Sequence, residues 1–485
     1  MVTPEISWLA IVPELLLAVG AAFVLLVEVQ WKPVTSVLGY ISGTSVVLAA
    51  AVTVLQWIRA GDAVAAGSTD ELVAFSGMVL MDGFAVFGRF ALLAVTGFGL
   101  LAGWRYMQSL GRRGAEAIAL VLLATAGFSI MIASNNLVMM FLGLEVGSIA
   151  LYVLAGMSRE RARSDEAAIK YFLLGSFASA IFVYGVALLY AGTGQFEVTA
   201  IREFLAGFVL LSPAVVLIGV GLIIVGLGFK VSAAPFHSWA PDVYQGAPAG
   251  VVGYMAAVAK IAGFIAIARI LFAGLPALED NWLPIVAAIA ALSMLVGSVL
   301  ALVQGDVRRM LAYSGVAHAG FIMTGVVGGT TEGILFYLAV YSLQLLGAFA
   351  VVSAVSGADN SESDLHSYRG LARRSPFLAT SFAVLLLGMA GLPVTSGFVA
   401  KFGVFAQAWN GGYEWLVVVA VIASVVAFAF YLRIIVAMYM DESDAAEVTV
   451  PGTVRWVLAV AVATTIVWGV LPGSLLNLAA DALPL

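Results

Sequence analysis

The sequence predicts an all-α polytopic membrane protein of about fourteen transmembrane helices, and three observations predict it. Of 485 residues, 62% are apolar and 10% charged, with a mean hydropathy of +1.08. A water-soluble protein gives about a quarter of its residues to charge, so 22 basic and 28 acidic side chains cannot cover this surface. The apolar residues also fall into runs of about 20, the length that crosses a hydrocarbon core. This composition excludes a cytosolic enzyme, a disordered chain and a nucleic-acid binder.

The runs lie near 8–29, 36–58, 83–104, 115–133, 136–157, 168–191 and 213–234, then near 250–272, 284–303, 310–328, 332–356, 376–408, 413–438 and 453–478. Basic residues collect on the cytoplasmic side of a membrane, which tests the count. With the N-terminus outside, fifteen Lys and Arg fall in inside loops or their flanks, among them Arg112, Arg113, Arg159, Arg161, Arg308 and Arg309. Three (Arg59, Arg202, Arg269) fall outside, and Arg89, Lys230, Lys260 and Lys401 lie within spans. A wrong span count would scramble that alternation. Both termini are therefore expected to be periplasmic. The loops, the longest near 59–82, 192–212, 357–375 and 439–452, have little room for a folded domain.

The absence of cysteine excludes disulfides, thiolate-held zinc and iron–sulfur clusters in this chain. Three histidines (His237, His318, His366) are too few for haem or a multi-His centre, so no metal ligands and no bound cofactor are expected. There is no Walker A sequence and no dinucleotide fingerprint. The opening Met1-Val-Thr-Pro-Glu5 lacks a basic n-region and a small-residue cleavage site, so no removable signal peptide is expected.

Lysine is the informative residue. Only five occur, and three lie within spans, where each costs about 2.5–3.5 kcal/mol at the helix centre. A lysine near a helix end can snorkel to the headgroups, but Lys260 sits some eleven residues into its run. Arginine keeps its proton in a protein, whereas a desolvated lysine can release one. A group that exchanges protons inside a membrane is thus expected to be Lys, Glu, Asp or His. Glu145 lies near mid-depth in the fifth run with no basic neighbour in sequence, and Lys230 is its natural candidate partner. Arg89, near the outside end of the third run, is expected to snorkel or to pair structurally, and Glu14 could be structural too.

Two runs are interrupted. The seventh breaks at Lys230-Val-Ser-Ala-Ala-Pro235-Phe-His237-Ser-Trp-Ala-Pro241-Asp242, the twelfth at Gly388-Met-Ala-Gly391-Leu-Pro393-Val-Thr-Ser-Gly397, ahead of Lys401. Proline removes helix hydrogen bonds, and such breaks survive at membrane depth where they are buried or line a wet cavity. The breaks lie five spans apart, so helices 4–8 and 9–13 form two five-helix repeats running in opposite directions. Broken helices in matching places of inverted repeats point to an ion pathway. The symmetry is loose, because Lys230 precedes its proline and Lys401 follows its own. His237 in the first break and His318 in the tenth run are possible relays, since imidazole titrates near neutrality. Each could equally be a packing residue; His366 is expected to be solvated. The division is 1–110 as an N-terminal three-helix region, 111–273 and 274–440 as the repeats, and 441–485 as the last helix.

Lys230 to Lys260, with Ala234-Pro-Phe-His237-Ser-Trp-Ala-Pro-Asp242-Val-Tyr-Gln-Gly-Ala-Pro248, resembles the proton-conducting antiporter-type membrane subunits of respiratory complex I. The same family includes subunits of multisubunit cation/proton antiporters and of membrane-bound hydrogenases. Gly143-Leu-Glu145, Leu151-Tyr-Val-Leu154, Arg309-Met-Leu-Ala-Tyr-Ser314 and His318-Ala-Gly320 fit it as well, and the resemblance spans roughly 80–440. A lysine at Lys401 and the opening Pro13-Glu14-Leu-Leu-Leu look like the N-type branch. The resemblance implies Glu145–Lys230 as a coupling ion pair, Lys260 as a central relay and Lys401 as a gate toward the periplasm. It implies other membrane and hydrophilic complex I subunits as partners, in a cell inner membrane. NADH, FMN, iron–sulfur clusters and quinone would then belong to those partners. An autonomous proton-coupled transporter shares the buried ionisable residues. An intramembrane hydrolase built on His237 and Asp242 lacks a nucleophile and a ligand set.

Overall fold

A computed structural model describes residues 7–484 apart from 33, 159–161, 358–362, 444 and 483; the basic residues Arg159 and Arg161 lie outside the described residues. The α-helices of 15 residues or more are α1 (Val12–Trp31), α2 (Thr35–Ala66), α3 (Gly83–Ala102), α4 (Arg113–Ala133), α5 (Leu137–Ala155), α6 (Ala162–Thr193) and α7 (Pro213–Lys230). They continue with α8 (Ala249–Ala268), α9 (Glu279–Leu302), α10 (Val307–Val327), α11 (Thr331–Ser356), α12 (Pro376–Ala390), α13 (Ser396–Asn410), α14 (Glu414–Tyr439) and α15 (Gly452–Val470). Thirteen are long and apolar enough to cross a membrane among the described residues. The short pair α12 and α13 makes one further, broken crossing.

The fold is the expected all-α bundle of two inverted five-crossing repeats, α4–α8 and α9–α14. Two details differ from the hydropathy reading. α2 runs on to Ala66, well past the apolar run, because the alanine-rich stretch around Asp62 still favours helix; it ends at Gly67, whose φ of +69° is the left-handed cap glycine tolerates. The loop after it holds a two-stranded hairpin, Val73–Ala74 with Val79–Leu80.

The centre is occupied by α8 and α11, which pack on each other. In α8 every residue but Gly250 is buried, and α11 is nearly as enclosed. Around this pair, α4 packs on α5, α6 on α7, and α9 on α10 and α14. Small residues set how closely helices approach within a membrane. A Cβ added to Gly143 of α5 would lie 2.6 Å from the Met131 amide of α4. That approach places the face carrying Glu145 and Ser148.

Two arginines counted with loops or their flanks are buried by protein. Arg269, expected in an outside flank, is fully buried: it sits just beyond α8 in a π-helical turn and grips Asp82 through two bonds of 2.8 and 2.9 Å. Arg308, counted with an inside loop, is buried as well and donates to Ser356 and the Gln245 carbonyl. Both stand at helix ends covered by protein, so side-chain partners replace headgroups and water. Arg89 is paired with Glu14 at 2.7 Å and bonded to Gln56, Ser129 and the Ala10 carbonyl.

Candidate functional site

Lys230 is the last residue of α7, where the chain leaves the helix through Val231 and Ser232, whose φ is +60°. The indole of Trp239 holds the break by donating to the Phe229 carbonyl at 3.0 Å, and Ser293 accepts from the Ala234 amide at 2.8 Å. A cation at a helix C-terminus faces the negative end of the macrodipole, which offsets part of the cost of burying this amine. Its Nζ donates to Ser148 Oγ at 2.7 Å and lies 4.9 Å from the centre of the Phe128 ring, with Tyr152 and Tyr171 near 6 Å. Aromatic faces attract such a cation.

The expected direct Glu145–Lys230 ion pair is not formed. Glu145, half-buried on α5, accepts a hydrogen bond from Ser179 of α6, while Lys230 bonds Ser148 one turn further along α5. Residues three apart share a helix face, so the two charges meet neighbouring points of one surface, and the hydroxyl is nearer to the amine than the carboxylate is.

Lys260 is 1% exposed, in the middle of α8. Its ammonium donates to two backbone carbonyls, Val231 at 2.8 Å and Gly315 at 2.8 Å. The first belongs to the residue that follows Lys230, so the α7 break connects two lysines; the second lies on α10. Ser314, next to it, is bonded to Tyr431 of α14. The Tyr431 hydroxyl lies 3.3 Å from His318 Nε2, and Tyr337 lies 2.9 Å from Nδ1. His318 is buried and stacked on Tyr341 at 4.2 Å.

The second break mirrors the first. α12 ends at Gly391 with φ +85°, Pro393 and Val394 cross the gap, and Ser396 opens α13, its hydroxyl 3.1 Å from the Gln344 amide nitrogen of α11. Lys401 points back across the gap, donating to the Ala390 carbonyl at 2.9 Å and lying 3.4 Å from Ser424 Oγ. Its Nζ lies over Phe321 at 4.4 Å, and that ring meets His318 edge-on. Among the described residues, no carboxylate lies within ion-pair distance of Lys230, Lys260 or Lys401.

The structure therefore brings Lys230, Lys260 and His318 into one polar row, with Lys401 beside it and Glu145 at its edge. His237 stands apart, half-buried, its ring 6.1 Å from that of Tyr313. Asp242 does chemistry of another kind: Lys170 of α6 reaches it at 2.7 Å and Arg309 of α10 at 2.6 Å. Partial burial raises its carboxyl, but these two cations hold it net below the ordinary carboxylate range. The clamp ties the two repeats together at one end. Sequence reasoning missed it, along with the tyrosines around His318, because apart from the Arg309…Ser314 segment their only signal is helical spacing toward a common face.

The membrane-subunit model of the NADH:quinone oxidoreductase and Mrp antiporters matches residues 134–427, more than half of the chain. The chain belongs to that family. All six candidate residues from Glu145 to Lys401 fall inside the matched segment. Subunit N of NADH-quinone oxidoreductase from Mycobacterium tuberculosis is 46% identical over 78% of this chain and 73% of its own length. The same subunit from Trichlorobacter lovleyi is 37% identical over 98% and 96%. Among solved structures, a chain of respiratory complex I from Thermus thermophilus superposes with a TM-score of 0.80 at 31% identity, covering 97% of this chain and 100% of that one. A chain of the Mrp complex from Dietzia shares the fold, with a TM-score of 0.83 at 20% identity over 98% and 97%.

Proposed function

We propose that this chain is the N-type membrane subunit of a proton-translocating NADH:quinone oxidoreductase in a cell inner membrane. It moves protons through its own lysines while redox chemistry takes place in other subunits. NADH, FMN, iron–sulfur clusters and quinone would be held by those partners. One observation carries the reading: three lysines are buried across two inverted repeats, and each donates only to hydroxyls or backbone carbonyls. Such partners orient an amine without fixing its charge, so the proton can leave and return. The family match and the relatives' names support the same assignment.

The test uses the assembled complex in inverted membrane vesicles, scored as the proton gradient formed per NADH oxidised. Lys230→Ala, Lys260→Ala and Lys401→Ala should each reduce that ratio while the complex still assembles. An undiminished ratio in all three would overturn the reading. The orientation belongs to the same proposal, with both termini periplasmic. Since the chain has no cysteine, a single Cys at Gln108 should react with an impermeant thiol reagent only from the cytoplasmic side.

A further inference from the structure

We propose that the cleft between α2 and α15 is a binding site for one anionic diacyl phospholipid, its headgroup phosphate on Arg105 and its acyl chains along α3. Both α2 and α15 pack on α3, and an apolar cleft of about 690 Å³ opens beside it. One wall is α2 from Ser36 to Ala50, the floor is α3 from Phe90 to Trp104, and Thr453 of α15 closes the end near Arg105.

Small residues hollow this cleft. A Cβ on Gly43 of α2 would meet nothing within 4 Å, and one on Gly97 of α3 would meet only Val46, at 3.8 Å. Closed helix interfaces are packed without such space, and an apolar cleft at membrane depth takes apolar matter in preference to water. The dimensions suit acyl chains. Ser36 to Ala50 and Phe90 to Trp104 each span about 21 Å at 1.5 Å per residue, deeper than one leaflet of the ~30 Å core. A cavity of ~150 Å³ encloses one benzene ring, so 690 Å³ takes on the order of 25 carbons, the greater part of two tails.

The mouth supplies the charge. Arg105 is exposed and makes no hydrogen bond or ion pair among the described residues, whereas Arg112 holds Glu28 and Arg113 donates to the Met157 carbonyl. Its side chain lines a small cavity against Pro451 and Val454, the residues on either side of Gly452 and Thr453. A phosphate held by Arg105 and the Thr453 hydroxyl would stand directly above the acyl chains, and a guanidinium can pair with phosphate through two parallel bonds. Trp104, beside Arg105, lies at the level where indole rings meet headgroups. No carboxylate lines the cleft or its mouth, so the ammonium of a zwitterionic headgroup finds no partner there and a lipid of net negative charge is preferred. A membrane-spanning helix of another subunit would fill apolar space but bring no phosphate to Arg105. Once bound, the lipid ties α2 to α15 across α3.

The test uses the complex that contains this chain, in nanodiscs carrying phosphatidylglycerol or phosphatidylcholine with the same photoactivatable group on one tail. In the parent, phosphatidylglycerol should label peptides 36–50 and 90–104 severalfold more than phosphatidylcholine does. Arg105→Gln, at an exposed position, should bring the two lipids to equal labelling there. Gly97→Phe should lower labelling by both, because its ring occupies the cleft. Equal labelling by the two lipids in the parent overturns the proposal, as does a preference that survives Arg105→Gln. Undiminished labelling in Gly97→Phe would put the lipid elsewhere and overturn it as well. So would a map of the parent complex showing a protein segment seated along α3 in place of acyl density.

Discussion

The buried arginines and the buried lysines of this chain live in opposite surroundings. On the α1–α3 flank, Arg89 holds Glu14, and near the far end of α8 Arg269 holds Asp82, each pair nearly inaccessible. Along the central row, Lys230, Lys260 and Lys401 contact hydroxyls, carbonyls and ring faces only. A permanent cation matched to a buried carboxylate is a static brace, since separating the two leaves an uncompensated charge. A lysine among neutral groups can exist charged or neutral, which a carrier of protons requires. The membrane imposes the same burial on both, and the partner decides whether the result is architecture or conduction.

The largest expected effect would break this contrast at Lys260. If the residue supplied only positive charge, Lys260→Arg would pump normally. If it exchanges protons, arginine fails because its pKa stays above about 12, and histidine retains more function. The expected order of protons moved per NADH oxidised is Lys, then His, then Arg.

The brace gives the next effect, on stability instead of coupling. Arg269→Ala should cost about 3–5 kcal/mol, because it removes the buried guanidinium that compensates the Asp82 charge through two bonds. Replacing both partners by apolar residues of similar volume should cost much less. Thermal inactivation of the detergent-solubilised complex measures both, and equal losses would show that the pair's geometry, not its charge, is what matters.

Smaller effects come from Glu145. Glu145→Gln keeps an oxygen for Ser179 and removes the charge. Because Lys230 is bonded to Ser148 and not to the carboxylate, the variant should reduce coupling less than Lys230→Ala does. A loss equal to that of Lys230→Ala would show that the charges act as one unit, closing into direct contact during turnover.

The smallest is the Asp242 clamp, which is partly exposed and worth about 1 kcal/mol or less. Its carboxyl is held below the ordinary value by Lys170 and Arg309, so the stabilisation is present above about pH 4, the free carboxyl's own range, and fades as the pH falls below it. Asp242→Asn should differ from the parent in thermal stability at pH 7, and the difference should shrink under acid. A constant difference would place the role of Asp242 outside its charge.

Much of the molecule was legible from the order of residues. Runs of about 20 apolar side chains announce crossings because the hydrocarbon core has a fixed thickness. Pro235 and Pro393 announce broken crossings because proline lacks the amide a helix needs. Lys260 announces function because a charge at that depth is expensive wherever the helix packs. These are properties of a residue and its immediate neighbours, so the sequence alone determines them.

Partnership is not such a property. Arg269 meets Asp82 across 187 positions and Arg89 meets Glu14 across 75, distances at which spacing says nothing. Glu145 and Lys230 looked like a pair because each lacked a nearer counterion, yet the rotation of α5 against α7 presents Ser148 to the amine. The cleft beside Gly43 and Gly97 exists only because α2 and α15 both rest on α3 without closing over it. The sequence determined which groups would be buried and at what depth; the packing of helices around α8 and α11 decided what each of them touches, because side-chain contact depends on helix rotation and approach to within an ångström, which no local pattern encodes.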